Sequence, residues 1–229
     1  MRRPSRRPKP PPRVRVVHED EAVVVIDKPA GLLSIATERE RERTAFAQVF
    51  ELLKRRKPRG RPFVVHRLDR EASGLLVLAK TEDAKRVLQA QFHDHSAARS
   101  YEAVVTGLVT VERATLRSYL RESAAHTTYE TKSGQGKLAV THVVVVRRNP
   151  ARGRTHVRLE LETGRKHQVR AQLAAWGHPI VGDPRYGGNE REGAPRLALH
   201  GTRLTFRHPQ SGEPITFESP LPNAIRRMV

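Results

Sequence analysis

The sequence predicts an α/β protein of the α+β kind, in which helices flank a mixed, largely antiparallel sheet. Two observations favour this class. Segments with the β-branched composition of strands outnumber segments with a helical apolar period, and many connections between them are too short for parallel crossovers. The chain has 229 residues and no internal repeat, which suits one large domain. We therefore predict a single folded domain over residues 16–229, after a short tail at residues 1–15.

The first half of the domain contains two predicted helices. One lies where four apolar residues from Phe46 to Leu53 recur at i, i+3, i+4 and i+7, and it stops before Pro58 after a basic run that suits a helix C-terminus. The other begins after Thr81, an N-cap residue type followed by two acids. Short apolar runs predict strands at residues 23–26, 63–65 and 75–78.

The second half is richer in strands. A third helix is predicted over Lys166 to Trp176, with Val169, Leu173 and Trp176 on the face that packs against the sheet. His208 to Gly212 has the composition of a hairpin turn. Strands are predicted at residues 101–106, 139–146, 156–162, 198–206 and 215–217.

The charge of the chain indicates a polyanionic partner. Lys and Arg number 43 against 24 Asp and Glu, which gives a net charge of +19. Residues 1–15 hold seven of the basic residues and five prolines, so we predict a disordered, extended arm that adds phosphate contacts. A passive tail that reflects coding bias toward Arg and Pro is the alternative.

Several classes of function are excluded by what the sequence lacks. It has no cysteine, so a disulfide framework, a thiolate metal site and a thiol nucleophile are ruled out. It contains no P-loop, no GxGxxG and no GxSxG, and its histidines do not have metal-ligand spacing. The apolar runs are too short to span a bilayer. We expect a cytoplasmic protein without cofactor or metal, and a monomer by default.

Three segments carry the residues that chemistry would need. In HRLDREASG, residues 66–74, Arg67 and Arg70 favour the ionised form of Asp69, a carboxylate between two predicted strands. Such a group is a candidate nucleophile, although a surface ion pair is the usual role of an Asp near Arg. In TGRKHQVRAQ, residues 163–172, basic side chains at a helix start could bind a phosphate or Asp69 itself, or simply pack on the sheet. In RSYEAVVTG, residues 99–107, Tyr101 could pack in the core or stack on a base.

Taken in order, these segments resemble the RluA-type family of RNA pseudouridine synthases. The resemblance covers residues 16–222 and rests on five motifs. They are EDEAVVVIDKPAGLLS at 19–34, HRLDREASGLLVLAKT at 66–81, YEAVVTG at 101–107, GRKHQVRAQLAAWGHPIVGDPRYG at 164–187 and LHGTRLTFRHPQSGEPITFESPLP at 199–222.

The resemblance implies a function and a role for several residues. It implies that specific uridines in rRNA or tRNA are isomerised to pseudouridine, without cofactor, on a nucleotide flipped out of its stack. By the same resemblance Asp69 is the attacking carboxylate, Tyr101 packs on the target base, and Arg165 pairs with Asp69. Substrate contacts are expected from His66, Arg67, Leu68, Lys166, His167 and Arg170.

The sequence also departs from the family pattern. Ala72, Ser100, Lys166 and Gln172 stand where other residue types are usual, which leaves the proposed catalytic residues intact but puts details of RNA contact in doubt. Only about 18 residues precede the first motif, so we expect no S4 RNA-binding domain. The alternative function is a non-catalytic RNA-binding or ribosome-assembly module.

Overall fold

The computed structural model describes residues 12–38, 40–56, 61–187 and 194–229, so most of the predicted tail lies outside the described residues. Within these ranges the chain forms eleven strands and four helices. The helices are α1 Ala45–Arg56, α2 Glu82–His93, α3 Gln168–Ala175 and α4 Asn223–Arg226. The strands are β1 Arg15–Glu19, β2 Val23–Lys28, β3 Phe63–Val64, β4 Ser73–Ala79, β5 Ala98–Thr106, β6 Arg113–Glu122, β7 Thr128–Thr131, β8 Lys137–Asn149, β9 Arg154–Leu161, β10 Leu199–Arg207 and β11 Pro214–Glu218.

All the described strands belong to one sheet, in the order β1-β2-β4-β10-β5-β9-β8-β6-β7, with β11 paired to β10 and β3 paired to β4. Among these strand pairs, β4 with β10 is parallel and the others are antiparallel. The predicted mixed, largely antiparallel sheet flanked by helices is therefore confirmed.

The sheet is covered on both faces near β2 and β4. Alternate residues of β4 pack into two different cores: Leu76 and Leu78 with α1 on one side, and Leu75 and Val77 with α2 on the other. A strand covered on both faces reads as a continuous apolar run, because neither set of side chains faces water. This explains why β2 and β4 were readily predicted from the sequence.

The strands β4 and β10 meet at a pair of glycines. Gly74 lies opposite Gly201, and a Cβ on Gly74 would lie 2.4 Å from the backbone nitrogen of Gly201. The φ of Gly74 is +123°, a region that L side chains rarely adopt. The parallel pairing extends over only two residue pairs, so two larger parts of the sheet are joined at a short contact that only glycine permits.

Most predicted elements are present with shifted ends. Thr81 is the N-cap of α2, and its hydroxyl accepts a hydrogen bond from the backbone N–H of Ala84, as expected. The helix α3 begins at Gln168 rather than at Lys166, because His167 adopts a left-handed conformation with φ of 51°. Strands β1, β6 and β7 and helix α4 were not predicted.

The start of the chain that the structure describes packs against the domain. The backbone N–H of Val14 donates to Oε1 of Gln48, whose amide donates to the carbonyl of Pro12. Arg15 is already part of β1, so the folded region extends one residue into the predicted tail. No helix in the described part of the chain is long and apolar enough to cross a membrane.

Candidate active site

Eight of the nine residues predicted to form the site line one cavity of about 150 Å³. Asp69 reaches it from the loop between β3 and β4, Tyr101 from β5, and a group of basic residues from the turn before α3 and its first turn. The loop and the turn are distant in sequence but meet because β10 lies between β4 and β5. The eight residues are Arg67, Leu68, Asp69, Tyr101, Arg165, Lys166, His167 and Arg170.

The carboxylate of Asp69 is held by Arg170. The Nη1 of Arg170 donates to Oδ2 of Asp69 at 3.2 Å, and its Nε and Nη2 donate to the two oxygens of Asp183 at 2.7 and 2.9 Å. Both Arg170 and Asp183 are buried. Burial alone would lower the pKa of Arg170, but the hydrogen bonds and charge of Asp183, with the charge of Asp69, raise it. Arg170 is therefore a permanent cation fixed beside Asp69.

The structure corrects the prediction that Arg165 pairs with Asp69. Arg165 lines the cavity, but its Nε donates to the carbonyl of Leu138 at 3.0 Å and no ion pair with Asp69 is present in the described structure. The physical reason is the late start of α3. Arg165 lies in the turn before the helix, and its backbone N–H donates to Oε1 of Gln168. Arg170, in contrast, lies within the first turn of the helix.

His167 and Lys166 are neighbours in this turn and have different partners. The Nε2 of His167 is 3.8 Å from Oδ1 of Asp69, which is a close electrostatic contact but too long for a hydrogen bond. Burial is the largest cause of a lowered pKa at His167. Its Nδ1 lies 3.0 Å from the hydroxyl of Tyr186. The ammonium group of Lys166 hydrogen bonds to Glu122 on β6, so its charge is partly compensated by the protein.

Tyr101 occupies the wall of the cavity at the centre of the sheet. It is 9% exposed and lies opposite Gly201 on β10, where a Cβ would come within 3.4 Å of the ring. Burial raises the pKa of the hydroxyl, so the ring is neutral. A neutral aromatic ring beside a carboxylate is suited to stack on a planar base.

The loop that carries Asp69 is held in place by Lys28, a residue that was not among the predicted site residues. Lys28 is completely buried, and its ammonium group donates to the carbonyls of Leu32 at 2.8 Å, Ala72 at 2.7 Å and Pro29 at 3.0 Å. Burial lowers its pKa to about 7. Because the buried Lys28 donates to carbonyls in two loops, it stabilises the conformation of both.

Leu68 is fixed in the same way, because its backbone N–H and carbonyl both bond to the hydroxyl of Ser34, at 3.0 and 2.7 Å. The residue directly before Asp69 is thus bound on both polar atoms. Together with Lys28, Ser34 gives the Asp69 loop a defined shape without a regular element.

His66 is the one predicted site residue that the structure does not bring into the cavity, and its substrate contact stays a prediction. His66 does not line the cavity, and its Nε2 accepts the backbone N–H of Val77 at 3.1 Å while its ring stacks on Phe92 at 4.3 Å. Burial lowers its pKa to about 3, and the charge of Arg99 contributes. His66 is a neutral residue packed beneath the site.

Three arginines at the cavity, Arg67, Arg99 and Arg165, have no acidic partner in the described structure. Arg67 is exposed beside Asp69, and Arg99 reaches the cavity from β5. Arg99 was missed, although it lies two residues before Tyr101 on the same strand and so on the same face. The described residues contain no group of three or more His, Asp or Glu side chains placed to hold a metal ion.

The site has one carboxylate bound by a buried arginine, with further arginines and an aromatic ring around it. Such a site suits an anionic ligand that carries a planar ring, as a nucleic acid does. A sequence profile described as RNA pseudouridylate synthase matches residues 22–175. The chain belongs to the RNA pseudouridylate synthase family.

Relatives and solved structures agree with this assignment. Ribosomal large subunit pseudouridine synthase D of Pseudomonas aeruginosa is 36% identical over 222 residues, which are 91% of this chain and 68% of that protein. The structure of human RNA pseudouridylate synthase domain containing 1 is 27% identical, with a TM-score of 0.71, over 90% of this chain and 83% of that one. Human RNA pseudouridylate synthase domain containing 4, at 22% identity, has the same fold, with a TM-score of 0.78 over 93% and 90% of the two chains.

Proposed function

We propose that the protein isomerises a uridine in structured RNA to pseudouridine, with Asp69 as the attacking group. The observation that carries the proposal is the carboxylate of Asp69, fixed by Arg170 at 3.2 Å in a basic cavity beside Tyr101. A nucleophile must be ionised, oriented and accessible, and this one is 18% exposed and bound on one oxygen. Its second oxygen has no hydrogen bond in the described structure.

The reaction conserves the atoms of the base. The bond between C1′ and N1 breaks with help from the carboxylate, the uracil turns within the cavity, and a bond forms between C1′ and C5. The hydrogen on C5 leaves as a proton and N1 gains a proton, so the reaction needs neither oxidant nor group donor. We assign to Tyr101 the task of packing on the turning base, which an aromatic wall at this position suits.

The surrounding cations have separate tasks in this proposal. Arg170 orients Asp69, since its own position is fixed by Asp183. Arg67 is exposed next to Asp69 and would hold the flipped nucleotide out of its stack. Arg165 and Lys166 extend the positively charged surface from the cavity to the turn between β7 and β8.

The substrate that the relatives support best is RNA of the large ribosomal subunit, because that is what their printed names state. Across three such relatives the chain spans 60% to 71% of the relative's length, so the whole relative's choice of uridine does not transfer directly. Transfer RNA is the other substrate class that the family resemblance implies. Mapping pseudouridines in total RNA from cells with and without the gene decides between the two. The cytoplasmic location and the monomeric state stay predictions.

The catalytic role is tested by Asp69→Asn, with Asp83→Asn on the exposed face of α2 as the matched control. Tritium release from RNA that contains 5-tritiated uridine should fall below detection for the first variant and stay at the wild-type rate for the second. RNA affinity should be nearly the same in both. Wild-type protein that binds RNA but releases no tritium from any cellular RNA would be a non-catalytic RNA-binding module instead.

A further inference from the structure

The cavity around Asp69 holds more positive charge than its acidic groups compensate. Asp69 is already paired with Arg170, which is itself paired with Asp183. Arg67, Arg99 and Arg165 line the same cavity, and none of them has an ion pair among the residues the structure describes. A carboxylate nucleophile alone does not explain three further guanidinium groups, because they would be repelled by each other without an anion between them.

Arg99 is the member of this set that the protein holds in place without using its donors. Its guanidinium carbon lies 5.6 Å from the centre of the Phe92 ring, and Phe92 stacks on His66 at 4.3 Å. Stacking fixes the plane of the group but leaves the N–H bonds at its edge free. The Nε of Arg99 is buried and has no hydrogen-bond partner in the described structure.

Room for this guanidinium is provided by Gly164. A Cβ built on Gly164 would lie 2.5 Å from Nη1 of Arg99, closer than any real Cβ contact. The φ of Gly164 lies outside the left-handed region, so conformational freedom does not explain the glycine. The turn before α3 therefore packs directly against the guanidinium of Arg99. A larger residue at position 164 would displace the guanidinium from the cavity.

His66 is the third member of the stack and lies against the Phe92 ring as a neutral imidazole. Burial lowers its pKa to about 3, so it carries no charge near neutral pH. Arg99 is thus the sole cation of the three stacked groups His66, Phe92 and Arg99, and its charge is directed at the cavity. Arg99 lines the cavity, where an anion can reach its terminal N–H groups.

We propose that Arg99 binds a phosphate of the RNA strand next to the target nucleotide, through the Nη–H groups at the end of its guanidinium. The proposal rests on the function proposed above and adds a subsite to it. The planar fork of an arginine matches two phosphate oxygens, and charged hydrogen bonds of this kind are the strong ones. The subsite would fix the backbone beside the base while Asp69 and Tyr101 act on the sugar and the ring.

The subsite is tested by equilibrium binding, which does not depend on turnover. Wild-type protein, Arg99→Gln and the control Arg113→Gln are titrated with uridine, uridine 5′-monophosphate, uridine 3′-monophosphate and inorganic phosphate. Arg113 is exposed at the start of β6 and does not line the cavity. One of the nucleotides should bind wild type and Arg113→Gln roughly tenfold more tightly than uridine, which corresponds to a charged hydrogen bond. Arg99→Gln should bind nucleotide and nucleoside equally.

The Nε–H resonance of Arg99 in wild-type protein gives a second measurement that needs no variant. It should shift on addition of the nucleotide and not on addition of uridine, and Arg99→Lys should recover only part of the affinity difference because it lacks the fork. The subsite is disproved if wild type does not distinguish nucleotide from uridine, or if Arg99→Gln keeps the distinction. Inorganic phosphate that shifts Arg99 as strongly as the nucleotide would make it a general anion site and overturn the RNA assignment. Loss of isomerisation with intact nucleotide discrimination would instead contradict only the proposed reaction.

Discussion

The guanidinium of Arg170 binds two carboxylates in different ways: Asp183 through two bonds of 2.7 and 2.9 Å, and Asp69 through a single bond of 3.2 Å. The shorter pair is fully buried, while Asp69 is partly exposed. Asp183 therefore determines where the guanidinium lies, and the guanidinium in turn orients Asp69. Asp69 is therefore positioned by a residue that does not touch it.

This arrangement predicts a large effect at Asp183. Asp183→Asn keeps the shape of the side chain but leaves the buried Arg170 without its charged partner, which should destabilise the protein by about 3–5 kcal/mol. Turnover should fall at least about tenfold in protein that remains folded, since Arg170 no longer has a fixed position. Chemical denaturation and tritium release measure the two effects.

Glu71→Gln is the matched control for that variant. Glu71 also bonds Arg170, at 3.3 Å, but its side chain is 43% exposed. The change should cost less than about 1 kcal/mol and leave turnover nearly unaltered. Equal losses from the two variants would show that Asp183 has no special part in placing Arg170.

A second prediction concerns Lys28, which fastens the Asp69 loop. Lys28→Met has a similar length but donates no hydrogen bond, so the carbonyls of Leu32 and Ala72 lose their donor. We expect a loss of about 1–3 kcal/mol in unfolding free energy and faster amide exchange around the loop. Turnover should fall more than RNA affinity does. Lys54→Met, on the exposed end of α1, should change neither quantity.

The third prediction is a dependence of stability on pH that arises from two buried histidines. Burial lowers the pKa of His66 to about 3 and that of His200 to about 4, while both have ordinary values near 6.5 in the unfolded chain. Unfolded protein binds these protons first as the pH falls. Stability is therefore full above pH 6.5 and declines below it, at up to about 1.4 kcal/mol per pH unit for each histidine.

His66→Gln isolates one of these contributions, because glutamine can still accept the N–H of Val77 but does not titrate. The difference in unfolding free energy between the variant and wild type should change between pH 6.5 and 4, with wild type losing more as the pH falls. Parallel pH curves for the two proteins would contradict a neutral, buried His66.

The fourth prediction concerns the basic tail. Residues 1–11 contain five basic residues and lie outside the described structure, whereas Pro12 and Val14 bond to Gln48. Deletion of residues 1–11 should weaken RNA binding and reduce its salt dependence, by about 0.7–0.9 per lost phosphate contact in the double-logarithmic slope. Turnover at saturating RNA should be unchanged. A variant with the five basic residues replaced by glutamine should match the deletion, and an unaltered slope in both would identify a passive tail.

The sequence predicts the doubly covered strands and the capped helix α2 well, because their apolar runs and cap are local. It does not predict β6, where exposed Arg113 and Arg117 alternate with half-buried Ala114 and Leu116. That alternation is the pattern of a strand with one face in water, but the apolar positions are few. Strand β7 has only four residues and depends on its pairing with β6.

In the site, the sequence identifies the segments but not which arginine meets Asp69. The choice depends on the left-handed backbone of His167, which shifts the start of α3, and on Asp183, which fixes Arg170 from a later turn. Neither feature has a local pattern. The position of His66 beneath the cavity follows from its stacking on Phe92, which is a tertiary contact between distant elements.

The place of β10 in the sheet has a consequence for the order in which the enzyme matures. Although it starts at Leu199, near the end of the chain, β10 lies between β4 and β5, and Asp69 and Tyr101 reach the cavity from opposite sides of it. A nascent chain that has not yet released β10 from the ribosome cannot bring these two residues together, however well its earlier elements fold. The site can therefore form only after β10, which ends at Arg207, has emerged from the ribosome.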